Sequence, residues 1–244
     1  VKVVDTRGDT VRTFSTKVDT GMTRIYWNLR RDGVRYPSRR PAQPDADPPS
    51  GPEVLPGDYK LIVQYGEHFD STTVTVHTDP RLDVDVAQLR AQADAYADFE
   101  EIVAKATDGF EALQEARKTI KRVDQALVNA PDSTKKTIAE QGKALTEQID
   151  ELEKRYMMPE GLKGIQRSSE NVRGYLRGAG RYLSASEGTP NQPAKVMIEK
   201  ATRETQQVVD KVNAFFANDF AAYRKEVESV PFSLFEEYEP ITWE

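Results

Sequence analysis

The pattern of hydrophobic and polar positions changes near residue 80. Before that point, apolar residues alternate with polar ones in short runs, a period of two that is typical of half-buried β-strands. After it, apolar residues recur every three or four positions over long stretches, as in amphipathic α-helices. The pattern therefore predicts an α+β multidomain chain with a β-rich part at 1–80, a helical part at 81–230 and a short aromatic segment at 231–244.

The first part reads as several short strands separated by turn residues. Gly8 and Gly66 suit the tight reversals that join neighbouring antiparallel strands, and a Pro-rich insertion at 37–56 interrupts the series. Short strands with regular turn signals are typical of a β-sandwich. We predict an Ig-like antiparallel β-sandwich, incomplete at its N-terminus because the chain opens directly in a strand, with strands at 1–4, 11–14, 23–30, 59–65 and 71–77.

Trp27 is the residue we select as the marker of the sandwich core. It shares one face of the predicted strand 23–30 with Ile25 and Leu29, whereas Tyr26 and Asn28 face the other way. Buried tryptophans are common in Ig-like sandwiches. We therefore expect Trp27 to be buried rather than to serve as a platform for a ligand.

The helical part predicts an elongated antiparallel bundle of about four helices. The first helix begins around residues 82–85 and runs for roughly 40 residues to Leu127; Asp132 or Ser133 is expected to cap the second. A loop at 187–193 precedes the last helix, and short connections make neighbouring helices antiparallel. The third helix carries an apolar seam at alternating steps of three and four, made of Leu162, Ile165, Ser169, Val172, Leu176, Ala179 and Leu183.

Composition narrows the possible functions. The chain has 244 residues and no cysteine, which excludes a disulfide framework, a thiolate zinc site and a cysteine nucleophile. No apolar run approaches the roughly 18 residues of a membrane-spanning helix. The net charge of −6 lies entirely in 81–244, because residues 1–80 carry 11 basic and 11 acidic side chains. This acidity argues against a dedicated nucleic-acid binder.

A family resemblance rests on three motifs in the first part and one at its end. These are an arginine-bearing strand at 11–14, a Gly-x-x-Arg-x-x-Trp strand at 21–30, a Pro-Gly-x-Tyr turn at 56–59, and Thr-Asp-Pro-Arg at 78–81 before a long helix. The first three resemble the Ig-like domain of flagellar hook-capping proteins. Together, the four resemble the C-terminal region of bacterial secreted proteins with sortilin-like, BNR-repeat β-propellers, which are often labelled glycosyl hydrolase or sialidase-like.

This resemblance implies an extracytoplasmic protein, periplasmic or secreted, whose upstream β-propeller domain is the partner of the present chain. Two functions from different classes follow. The first is a non-catalytic accessory or interaction module that supports or presents the propeller. The alternative is a part of a glycan-active enzyme that contributes to substrate binding. A coiled-coil adaptor is a third, weaker hypothesis, and we expect a monomer.

Five arginines within eleven residues form the most unusual local feature. The candidate interaction surface consists of Arg30, Arg31, Arg35, Tyr36, Arg39 and Arg40. One interpretation is an exposed loop. The other is contact with an acidic surface, either the missing propeller or the acidic helices of this chain, and nucleic acid ranks below both.

The remaining candidates favour ordinary structural roles. The tripeptide at 7–9 spells Arg-Gly-Asp, yet glycine and aspartate are also what a hairpin turn prefers. His68 and His77 lack the further ligands of a zinc site. The carboxylate pairs Glu100/Glu101, Glu147/Glu151 and Glu236/Glu237 fit solvent-exposed faces or the C-terminal segment better than a catalytic dyad. We therefore predict no catalytic residue, cofactor or metal.

Glycines within the third helix have two interpretations. Gly174, Gly178 and Gly180 each lower helix propensity by up to about 1 kcal/mol relative to alanine. Close approach of a neighbouring helix is the first explanation for them, and a ligand pocket is the second. In the C-terminal segment 231–244, four aromatic residues would expose much apolar area in solution, so we expect the segment to dock on the body of the protein.

Overall fold

The computed structural model describes residues 1–127, 131–161, 170–186 and 188–230, and the fold is α+β. Strands occupy the first part, and four are joined into one antiparallel sheet in the order β2-β1-β5-β6, while β3 and β4 pair separately. The strands are β1 Lys2–Val4, β2 Thr10–Thr13, β3 Arg30–Asp32, β4 Ser50–Glu53, β5 Gly57–Tyr65 and β6 His68–Val76. β5 and β6 form the longest pair, with Gly57 opposite Val76 and Tyr65 opposite His68.

The predicted strand at 23–30 is wrong. Only its last residue belongs to a strand, β3, and residues 23–29 are irregular. The physical reason lies at Leu29, whose φ of 57° is left-handed. A left-handed residue breaks an extended run, so Ile25, Trp27 and Leu29 do not share one face, and Leu29 is 42% exposed.

Trp27 is accordingly half-buried rather than buried. Its ring meets Tyr59 edge to face, with 5.4 Å between the centroids. The indole N–H donates to the carbonyl of Arg30 at 3.0 Å. Trp27 therefore fixes the irregular segment against β5 and against the start of β3, at the margin of the sheet.

Arg12 connects the four-stranded sheet to the separate β3–β4 pair. Its guanidinium, on β2, lies 2.8 Å from a carboxylate oxygen of Asp32 on β3. The same nitrogen donates to the carbonyls of Pro48 and Pro49 at 2.8 and 2.9 Å. Arg12 is buried, so these contacts satisfy a charge that burial would otherwise make costly.

Five α-helices follow the strands, and the long first helix is confirmed. Their bounds are α1 Val86–Ala126, α2 Asp132–Tyr156, α3 Val172–Ser184, α4 Gln192–Phe215 and α5 Ala221–Ser229, with a π-helical segment, Phe216–Phe220, joining the last two. α1 has 41 residues, a length of about 60 Å at 1.5 Å per residue.

Side-chain caps begin three of the helices. Asp85 accepts from the N–H of Ala87 at the start of α1; Asn171 and Asn191 cap α3 and α4 in the same way. The expected cap on α2 is wrong, because Asp132 already lies in its first turn and no side chain caps that helix. Its carboxylate instead sits near the positive end of the helix dipole.

One hydrophobic core joins these helices. Phe110 lies at its centre with no exposed surface and meets Tyr156 edge to face at 5.4 Å. α1 and α2 run antiparallel, since Arg117 pairs with Asp150 while Ile120, further along α1, lies against Gly142. Of the predicted seam, the part on α3 is confirmed, as all four of its residues are buried; Leu162, Ile165 and Ser169 lie outside the described residues.

The described residues bear on the remaining expectations only in part. Within them, no helix is both long enough and apolar enough to cross a membrane. The predicted docking of segment 231–244 lies outside the described residues.

Phe110 should dominate the stability of the helical core. Phe110→Ala is expected to lower the free energy of unfolding by about 3–5 kcal/mol, because it removes a fully buried ring and leaves a cavity. Phe69→Ala is the matched control, since Phe69 is 80% exposed on β6, and it should change stability by about 0.5 kcal/mol or less. Urea unfolding followed by circular dichroism measures both; equal effects would contradict the packing described here.

Candidate interaction surface

The arginine-rich residues 30–40, here called the arginine segment, cross from the strands to the helices. Val34 and Tyr36 pack against the helical core, and Pro37 is fully buried. The segment therefore lies against the helical part, and the interpretation as a free exposed loop does not describe it. The acidic surface it contacts belongs to the helices of the same chain.

Ion pairs accompany this packing. Nη2 of Arg31 lies 2.6 Å from a carboxylate oxygen of Glu100 on α1. Arg35 pairs with Glu111, three turns further along the same helix. The two arginines thus follow α1 lengthwise and neutralise two of its carboxylates.

Contacts from the other side of the segment reach the end of α2. Arg39 donates to the carbonyl of Met158 at 2.7 Å, and its guanidinium lies 4.0 Å from Glu160. The buried hydroxyl of Thr107 donates to the carbonyl of Arg35 at 2.7 Å. Backbone and side chains of the segment are therefore both held by the helices.

Gly180 makes room for Tyr36 on α3. A Cβ at residue 180 would lie 3.0 Å from the Tyr36 hydroxyl and 3.4 Å from the Phe99 ring. Close approach, the first of the two explanations for the glycines of the third helix, thus applies at Gly180. The approaching group is the arginine segment, and this contact could not be inferred from the helix pattern.

Arg30 and Arg40 take no part in the contact with the helices. Arg30 donates to the carbonyl of Gly51 at 3.2 Å and lies 3.5 Å from Glu53, within the β3–β4 pair. Arg40 is exposed, and its carbonyl accepts from Arg35. The six predicted residues therefore divide into an inner set, Arg31, Arg35, Tyr36 and Arg39, and an outer pair.

Burial governs the electrostatics of the inner set. The pKa of Glu100 is raised by desolvation, with the attraction of Arg31 opposing the rise. Desolvation also raises the pKa of Tyr36. A buried ion pair adds little net stability but becomes strongly unfavourable when one partner is removed. The pairing therefore makes the position of the segment specific.

The other predicted candidates adopt the structural roles expected of them. Arg7, Gly8 and Asp9 form the β1–β2 turn, where Gly8 has φ of 89° and the Asp5 carboxylate accepts from two backbone N–H groups. His68 begins β6 and His77 follows its end, so strand geometry holds them far apart. No group of metal-ligating side chains occurs within the described ranges.

The carboxylate pairs are also separated. Glu100 is half-buried against Arg31, whereas Glu101 is exposed and 3.9 Å from Lys105. Glu151 pairs with Lys154 at 2.5 Å, not with Arg155 as the spacing suggested. Sequence reasoning missed Glu153, a buried carboxylate that accepts from Gln114 and Arg117. Its position on the core-facing stripe of α2 is the signal that could have identified it.

The raised pKa of Glu100 gives stability a distinctive pH dependence. Folding favours the protonated carboxyl, so this contribution is complete below the unfolded-state pKa and is lost as pH rises through the folded-state value. We expect wild type to gain free energy of unfolding relative to Glu100→Gln as pH falls from 7 to 4.5. Urea titrations at both pH values measure the difference.

Glu101→Gln is the matched control because Glu101 neighbours Glu100 but is exposed. The difference between wild type and this variant should stay nearly constant over the same range. A pH-independent difference for Glu100→Gln would contradict the desolvated position of the carboxylate.

Comparisons with known proteins provide no additional assignment. The chain matches no protein-family model, no curated protein and no solved structure. The family resemblance therefore rests on the sequence motifs at 11–14, 21–30, 56–59 and 78–81, and the function it implies is a proposal.

Proposed function

We propose that this chain is a non-catalytic accessory and interaction module at the C-terminus of a secreted β-propeller protein, where it supports or presents the propeller. The motif resemblance supports the context. The fixed contact between the two parts supports the mechanical role, because a support must transmit position from one end to the other. Arg31 and Arg35 along α1, with Tyr36 against α3, provide that connection.

We infer a finer architecture for each part. The strands are taken to form a partial Ig-like sandwich, with β3 and β4 held over the four-stranded sheet through Arg12. The helices are taken to form an elongated antiparallel bundle. The contacts of Gly142 with Tyr223 and of Gly178 with Met197 support antiparallel packing of α2 with α5 and of α3 with α4.

A groove beside the sheet is the observation that carries the proposal. It has a volume of about 520 Å³, and Val1, Val18, Ile25, Val63 and Tyr65 supply its apolar lining. Tyr65 is 72% exposed. Because Val1 itself lines the groove, any domain joined ahead of Val1 emerges directly at it. A preceding propeller would therefore meet an apolar surface without a long linker.

Charge on the groove suits such an interdomain contact. Lys17 and Asp19 lie on its wall, so its charged side chains have both signs. Interfaces between domains of one chain are typically mixed in this way, more polar than obligate interfaces between subunits. A monomeric parent protein outside the cytoplasm is the setting that the resemblance implies.

The experiment joins sequence and binding. The coding sequence ahead of Val1 is read for propeller repeats, and that region is expressed separately and titrated with this chain by isothermal calorimetry. Val18→Ser with Tyr65→Ser should weaken binding at least tenfold while leaving the melting temperature nearly unchanged, because both side chains are substantially exposed. Tyr182→Ser, an exposed tyrosine on α3, is the control and should bind as wild type.

Two results would contradict the proposal. One is an upstream sequence without propeller repeats, and the other is equal binding by the groove variant and the Tyr182→Ser control. Turnover of glycosides by this chain alone would favour the alternative function, a part of a glycan-active enzyme.

A further inference from the structure

A second groove lies between α3 and α4 and is unusually basic for an acidic chain. It has a volume of about 500 Å³, which is within the usual range of small-molecule sites. Three cations line it, Arg177, Arg181 and Lys200, against a single carboxylate, Glu170. The helical part as a whole is acidic, so this local excess of positive charge requires an explanation.

Arginine recurs at every fourth position along one face of α3, at Arg173, Arg177 and Arg181. In a helix, residues four apart are neighbours, and like charges there destabilise the helix by about 0.2–0.5 kcal/mol per pair. Elsewhere arginines such as Arg31 and Arg117 pair with carboxylates. Among the residues that the structure describes, no carboxylate pairs with any of the three on α3.

Buried surroundings sharpen this repulsion. Nε of Arg173 is buried and has no hydrogen-bond partner in the described part of the chain. The pKa of Arg173 is lowered by desolvation and by the nearby charges of Arg177 and Arg39. Several guanidinium groups thus share a region in which nothing described here offsets their charge.

The remaining lining gives the groove an apolar wall. Tyr175 and Met197 line it together with Gly178, and a Cβ at Gly178 would lie 3.0 Å from Met197 Cε. Lys200 sits over the Tyr175 ring, 4.6 Å from its centroid. Because the ammonium group covers that ring face, the ring is not free to stack on a sugar.

We propose that the α3–α4 groove binds a small oxyanion carrying two or more negative charges, a phosphate or polycarboxylate compound, through Arg177, Arg181 and Lys200. Guanidinium groups hold such oxyanions by charge-assisted, often bidentate hydrogen bonds. The ligand would also relieve the repulsion along α3. Tyr175 and Met197 would contact its less polar portion.

The acidity of the surrounding helices argues for a small ligand. A long acidic polymer would extend beyond the groove onto a surface that repels it, whereas a compact anion meets only the local cations. The chain's own acidic segment is too distant. Thirty helical residues separate Lys200 from Val230, about 45 Å, whereas an extended chain from Val230 to Glu236 spans only about 20 Å.

The test uses the full chain with pyrophosphate and citrate as probes, one for each oxyanion chemistry, titrated calorimetrically at constant ionic strength. We expect saturable one-to-one binding of at least one probe. Arg177→Gln should weaken it roughly tenfold, the scale of one charge-assisted contact. Arg90→Gln, which removes an exposed arginine of α1, is the control and should bind as wild type.

Stability without ligand provides an independent readout. Arg177→Gln removes two repulsive neighbours and should raise the melting temperature by about 1–4 °C. A purely structural arginine would lower it instead. Absence of saturable binding, equal binding by the Arg177→Gln and Arg90→Gln variants, binding only to a long polyglutamate peptide, or a lowered melting temperature for Arg177→Gln would each overturn the proposal.

Discussion

The ion pair between Arg31 and Glu100 forms where water is largely excluded, and the relation between the two parts of the molecule depends on it. An unpaired carboxylate at this position would carry a large desolvation penalty. Pairing offsets that penalty only when the arginine segment lies along α1 in one register. Arg35 with Glu111 and Thr107 with the Arg35 carbonyl then fall into place along the same helix. The short β-part thus takes its position from a charge buried on the helix.

This constraint also explains why a small set of strands can persist. The sheet has few fully buried side chains, chiefly Val3 and Tyr59, and much of β6 is exposed. A small β-part with so little apolar burial has little stability of its own. The polar contacts of Arg12 within it, and the packing of the arginine segment on the helices, supplement a hydrophobic core that is concentrated around α1.

How far the sequence predicts this molecule depends on the range of the interactions involved. Helix periodicity is local, so α1 and the seam of α3 could be predicted closely. The irregular path through Trp27 could not, because the left-handed conformation of Leu29 reflects tertiary contacts that override a strand-like alternation. The arginine segment was evident from composition, whereas its pairing with Glu100 and Glu111, about 70 residues away, required the fold. The glycines of α3 indicated both close packing and a groove, without deciding between them.

The π-helical segment Phe216–Phe220 has a consequence for how this chain can vary in length. A π-turn commonly arises by inserting one residue into an α-helix, and each α-helical residue turns the helix by about 100°. Removing one residue here would restore a regular helix but rotate everything beyond it. Tyr223, now buried against Gly142 of α2, would then face away from that helix. The segment therefore sets the reading phase between two halves of one helix, and single-residue deletions within it are equivalent to a change in the whole C-terminal packing face.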